Sequence, residues 1–208
     1  MTETADVDPE ALQEDLDRIK DAMGIQDRYP SWFHLWLVYG GLVLAASLAS
    51  QAIILRDLPG SWHGIAWFGF MGAGGLYQWW LGSNADRTVT ERAPNIGVQF
   101  GAIALLYVVY LLILGPAVEG LSQRVEAILL FSLIVALVGV AYVVVGESLK
   151  AYQIRARDRY AFYIGGAWML VLAVLMPNIE VLQTWGYAAY GLLYAVHAVG
   201  SYVYLARE

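Results

Sequence analysis

Residues 127–146 read AILLFSLIVALVGVAYVVVG, twenty consecutive positions without a charged or amide side chain. As an α-helix this run is about 30 Å long, which is the thickness of a bilayer's hydrocarbon core. It shows no period-2 alternation of the kind that a barrel strand needs. In lipid the backbone N–H and C=O groups must bond within their own segment, so the run is read as a transmembrane helix. Working outward, apolar stretches of similar kind cover residues 32–55, 61–82, 95–118, 125–146, 160–176 and 179–205. The fold class expected is an all-α integral membrane protein with six transmembrane helices, over residues 32–205, arranged as three hairpins.

Composition agrees with that reading. Of 208 residues, 59% are hydrophobic and only 14% charged, too few charges to keep the surface of a soluble domain hydrated. The net charge of −6 is local: residues 1–30 hold nine acids against Arg18, Lys20 and Arg28, and the rest of the chain is neutral. No basic surface is left for nucleic acid, so none is expected as a partner. The absence of cysteine removes disulfides, thiolate chemistry and Cys-ligated metals. The acidic start, with no apolar run before Trp32, lacks the basic and early hydrophobic regions of a cleaved signal peptide, which leaves insertion to the first span.

Residues 1–31 form a separate acidic segment. Asp8-Pro9 suits a helix start and Gly24 a helix end, and between them Leu12, Leu16, Ile19 and Met23 fall on one face. The expectation is a cytoplasmic amphipathic helix whose apolar stripe docks on a membrane or cytoplasmic protein partner. Orientation comes from the basic residues. An amino terminus in the cytoplasm puts Arg18, Lys20, Arg28, Arg87, Arg92, Lys150, Arg155, Arg157, Arg159 and Arg207 inside, and only Arg56 and Arg124 outside. Both termini are therefore expected on the cytoplasmic side of the cell membrane. Trp32, Trp36, Trp79, Trp80, Tyr202 and Tyr204 are read as an inner aromatic belt, and Trp62 and Trp185 as an outer one.

The three hairpins carry a sequence echo with a period of roughly 65 residues, the length of one transmembrane hairpin. Asp27-Arg28, Glu91-Arg92 and Asp158-Arg159 introduce the odd-numbered spans. Gly75 and Tyr77, Gly139 and Tyr142, and Gly200 and Tyr202 mark the even-numbered ones. Small residues recur at four-residue spacing as Gly41, Ala45 and Ala49, as Gly97 and Gly101, and as Gly191 and Ala195, faces that suit close helix packing within the chain, with a second copy or with a partner.

Chemistry-bearing residues are few. Ion and proton carriers keep ionisable groups in mid-span, whereas Glu126, Glu147 and Glu180 stand at span ends. His197 is the one titratable group placed well inside. It shares a helical face with Tyr187, Tyr190, Tyr194, Ser201 and Tyr204, a polar intramembrane face that must turn inward. His34 and His63 fall at opposite boundaries, so the three histidines do not converge as metal or haem ligands, and no cofactor is expected. His197-Ala198-Val199-Gly200 resembles the His-x-x-Gly of rhomboid intramembrane serine proteases. That family also uses a Gly-x-Ser-Gly nucleophile on its fourth helix, where this chain reads Phe131-Ser132-Leu133-Ile134. The base has no activated nucleophile to serve. The function expected is a non-catalytic membrane subunit or scaffold. The alternatives are a small transporter or channel for a neutral or weakly polar solute and, third, an intramembrane enzyme or redox subunit.

Overall fold

The computed structural model describes residues 34–83, 96–118, 120–152 and 154–207, together with Leu12, Asp15, Leu16, Arg18, Ile19 and Ala22 near the amino terminus. Six long helices make up the described bundle: α1 (His34–Leu55), α2 (Ser61–Ser83), α3 (Ile96–Val118), α4 (Gln123–Ser148), α5 (Ala156–Asn178) and α6 (Glu180–Ala206). Four stretches are long and apolar enough to cross a membrane, namely α1, residues 101–118 of α3, α4 and α5. In α2 and α6 Trp, Tyr, Gly and His take the place of aliphatic residues, yet α2 carries no charge and α6 only Glu180.

The helix ends have local causes. Ser122 caps α4 by accepting a 3.5 Å hydrogen bond from the Val125 amide. Asp57 turns the chain after α1 at φ 50°, a left-handed conformation that Asp tolerates better than most residues. Gly120, at φ 95°, does the same before α4. One residue, Ile179, separates α5 from α6, and Pro177, which cannot donate to the carbonyl four residues back, lies in the last turn of α5, so it disturbs only the end of the helix. The amino-terminal turn of α5 begins at Ala156, four residues before the expected span, because Arg157, Asp158 and Arg159 continue the helix beyond its apolar part.

The buried hydrophobic core comes from α1, α4, α5 and α6 and from the turn residues Leu149 and Ile154. α2 rests on α1, where the Tyr39 hydroxyl donates to Gln78 Oε1 at 2.8 Å, and α3 rests on α4. The two helices of each expected hairpin do touch, but the most extensive packing joins α4 to α5 and α1 to α6, across the boundaries of those hairpins. The residues of the sequence echo also differ in surroundings. A side chain on Gly139 would meet the Gly166 carbonyl, whereas Gly75 and Gly200 face open space.

Close approach explains the two extensive pairs. Along α1 and α6, which run antiparallel, a Cβ on Gly40 would stand 2.6 Å from Ala198 Cβ, and one on Gly191 would stand 2.6 Å from Ser47 Cβ. Gly40 and Ser47 are seven residues apart, as are Gly191 and Ala198, so two helical turns bring the same contact round again. Gly139 and Gly146 on α4 repeat that spacing against Gly166 and Tyr163 of α5. Without a hydrophobic drive between helices in lipid, such close van der Waals contact is what holds them. The expected α1 face, Gly41 with Ala45 and Ala49, is off by one position: Gly41 is exposed and Gly40 makes the contact. Four-residue spacing points to Gly41, because Gly40 is followed at that spacing by Leu44 and Leu48; the row that packs repeats instead after seven residues, as Gly40 and Ser47.

Candidate functional site

Tyr187, Tyr190, Tyr194 and Ser201 are buried, His197 is partly buried, and Tyr204 at the helix end is exposed. The structure joins these residues to α4 more than to one another. The Tyr142 and Tyr194 hydroxyls meet at 2.6 Å, and the Tyr187 hydroxyl donates to the Ala127 carbonyl at 3.3 Å. Phe131 stacks on Tyr187 with centroids 4.0 Å apart and meets Tyr190 edge-on at 5.3 Å.

His197 sits among rings. The centroids of Trp36, Trp168 and Tyr142 are 5.5, 6.0 and 6.2 Å from its own. Room for this arrangement exists because position 165 is glycine; a Cβ there would be 2.7 Å from His197 Nε2 and 2.6 Å from Tyr142 Cδ1. Nε2 is buried without a hydrogen-bond partner, as is the indole nitrogen of Trp168. Trp36, expected in the inner belt, is instead a core residue, because α1 carries it on the face shared with α4, α5 and α6.

His63 also departs from expectation. It does not stand free at a membrane boundary but stacks on Tyr187, with centroids 5.0 Å apart and planes 18° from parallel, and both its nitrogens are buried without partners. His34 is exposed. Among the described residues no three His, Asp or Glu side chains gather as metal ligands. Ser132 donates to the Ile128 carbonyl of its own helix at 2.6 Å, so it makes no nucleophile–base pair with His197.

Sequence reasoning passed over one polar cluster. Gln51 on α1 donates from Nε2 to the Thr184 carbonyl at 2.7 Å and accepts from the Ala188 amide at 3.1 Å through Oε1. Thr184 and Ala188 are partners in the i→i+4 ladder of α6, so one side chain bonds both members of a backbone pair. Ser47 and Ser50, four and one residues before it, are fully buried with unpartnered hydroxyl oxygens. A glutamine in the outermost turn of a span reads as an interface residue, and only the position of α6 shows otherwise.

A shallow groove of about 350 Å³ runs over α5 and α6, lined by Ala167, Trp168, Val171, Leu172, Leu175 and Leu193. Its lining is apolar except for the indole of Trp168. At the amino terminus, Leu12, Leu16 and Ile19 are helical and exposed at 53%, 46% and 54%. Met23, the fourth residue of that stripe, lies outside the described residues.

No protein-family model, curated protein or solved structure matches the chain. The site therefore rests on its own geometry: a ring-filled interior on α6, and, among the described residues, the exposed Leu12, Leu16 and Ile19 ahead of the bundle.

Proposed function

We propose that the chain is a six-span membrane subunit or scaffold that holds a cytoplasmic-side protein through its amino-terminal helix. Support for six spans comes from the lengths of the two less apolar helices. At 23 and 27 residues, α2 and α6 reach about 34 and 40 Å, enough to cross. Support for the topology comes from the ends of the bundle. Gln123 Nε2 donates to the Leu58 carbonyl at 2.6 Å, so the turns holding Arg56 and Arg124 share one end. Arg157 stands 4.8 Å over the Tyr204 ring at the other end, near Lys150, Arg155, Arg159 and Arg207. Basic residues favour the cytoplasm, which assigns that second end to it, together with both termini.

The observation that carries the partner reading is the exposed stripe of Leu12, Leu16 and Ile19. Each such side chain contributes about 1.5–3 kcal/mol when fully covered. A bilayer surface suits it poorly, because helices that lie on anionic lipid are rich in Lys and Arg and this segment is acidic. Deleting residues 1–24 is expected to leave insertion and folding of the bundle intact while a copurifying cytoplasmic-side protein is lost. Unchanged recovery of every associated protein sinks this reading.

One observation favours a second reading, passage of a neutral or weakly polar solute along the α6 face: the unpartnered nitrogens of His197 and Trp168 in the ring-lined interior. Flux of small polyols into liposomes that vanishes in His197→Phe, with thermal stability unchanged, would establish it over the scaffold.

A further inference from the structure

At the cytoplasm-facing end of the proposed topology, the described basic side chains outnumber the described carboxylates. Among the described residues, Lys150, Arg155, Arg157, Arg159 and Arg207 gather there against Glu147 and Asp158. Glu147 is already engaged: Lys150 Nζ lies 2.5 Å from its Oε2, and the Tyr163 hydroxyl donates to its Oε1 at 2.8 Å. Arg157 is turned onto the Tyr204 ring. Arg159 differs from a basic residue that merely fixes orientation by standing in water. Its side chain is mostly covered, and both Nε and Nη1 are buried with no hydrogen-bond partner.

A guanidinium held in that way is costly unless an anion meets it, and its planar fork matches the two oxygens of a phosphate. The residue stands in the first turn of α5, just outside the apolar part of the helix, which is the level of lipid headgroups. Tyr152, Tyr160 and Tyr204 lie exposed around the same end, as in an interfacial belt. We infer that Arg159 anchors the phosphate of an anionic phospholipid, with Lys150, Arg155, Arg157 and Arg207 supplying the surrounding positive field. Glu147 lies within the field of Arg159 but is bonded to Lys150 and Tyr163, so the chain's own acidic segment is the remaining source of negative charge. Its described part does not reach Arg159: Asp15 pairs with Arg18 of the same segment at 3.6 Å, and both side chains are largely exposed.

The test is thermal unfolding of the full chain in a neutral detergent, with phosphatidylglycerol, phosphatidylcholine or sodium phosphate added in turn. Phosphatidylglycerol at about a hundredfold excess over its Kd is expected to raise Tm by at least 5 °C or so, and the other two are expected to leave it unmoved. Arg159→Gln should lose most of that rise, while Arg56→Gln, with the same loss of charge at the opposite end of the bundle, keeps it. Should Arg159→Gln fail to fold, Arg159→Lys retains the charge without the fork and should need about tenfold more lipid for the same rise. An equal rise with phosphatidylcholine or with inorganic phosphate overturns the inference, as does a wild-type response from either Arg159 variant. A response that emerges only after residues 1–30 are deleted overturns it too, and assigns Arg159 to the acidic segment instead.

Discussion

Tyr194 illustrates how far a single residue could be read. Its place on an inward face follows from the three- and four-residue spacing of α6, but its partner Tyr142 lies on another helix, and no periodicity names it. The hydroxyls meet at 2.6 Å in a buried setting, so removing either leaves the other without this partner. Tyr142→Phe and Tyr194→Phe should each lower stability in detergent. The double variant should cost less than the two together, with a coupling energy of about 1 kcal/mol. Strict additivity in denaturation measurements on all four proteins would mean that the hydroxyls do not interact. His197 leads to the opposite expectation. Its Nε2 has no bond to lose and Gly165 leaves no space beside it. Gly165→Ala should therefore destabilise by about 1–3 kcal/mol through overpacking, more than exchange of the imidazole for a ring without that nitrogen in His197→Phe does.

At the level of helices, the apolar runs were legible almost to their ends. Each observed helix begins and ends within a few residues of its run, because charges and the Gly and Pro turns interrupt both in the same places. Which helices neighbour one another was not legible. Outside the polar face of α6, hydrophobicity is nearly uniform around each helix, so the sequence holds no stripe to mark the inward side, and four-residue spacing of small residues favoured Gly41 over Gly40. The close α1–α6 contact yields a reciprocal prediction. Gly40→Ala should destabilise by about 1–3 kcal/mol, since its Cβ would be 2.6 Å from that of Ala198, and adding Ala198→Gly should recover much of the loss. Gly41→Ala, with nothing within 4 Å, should be silent. Equal effects at positions 40 and 41, measured by thermal unfolding, would contradict the observed contact.

For the whole molecule, charge asymmetry between the ends was readable before any coordinates, because basic residues cluster in a few short stretches. The contacts between turns add which stretches share an end, and a labelling experiment joins the two. The natural chain has no cysteine, so single replacements at Thr88, Ala156 and Leu121 suffice. An impermeant thiol reagent added outside intact cells should label position 121 and spare 88 and 156. The reverse pattern would invert the orientation, and with it the side on which the amino-terminal helix finds its partner.

The long reach of the Gln51 clasp also bears on how the protein is made. Gln51 and its two backbone partners on α6 are separated by 133 and 137 residues, so α1 enters the bilayer long before the helix that satisfies it has been synthesised. Until then its amide and the two buried serines beside it must be met by water, by another part of the insertion machinery or by transient neighbours. Contacts so distant in sequence form slowly, and their unmatched surfaces are open to the wrong partner meanwhile. The last helix thus acts as the closing step of assembly: a nascent chain stopped before residue 180 would expose a polar, small-residue seam on its first helix, a mark by which quality control could recognise unfinished copies.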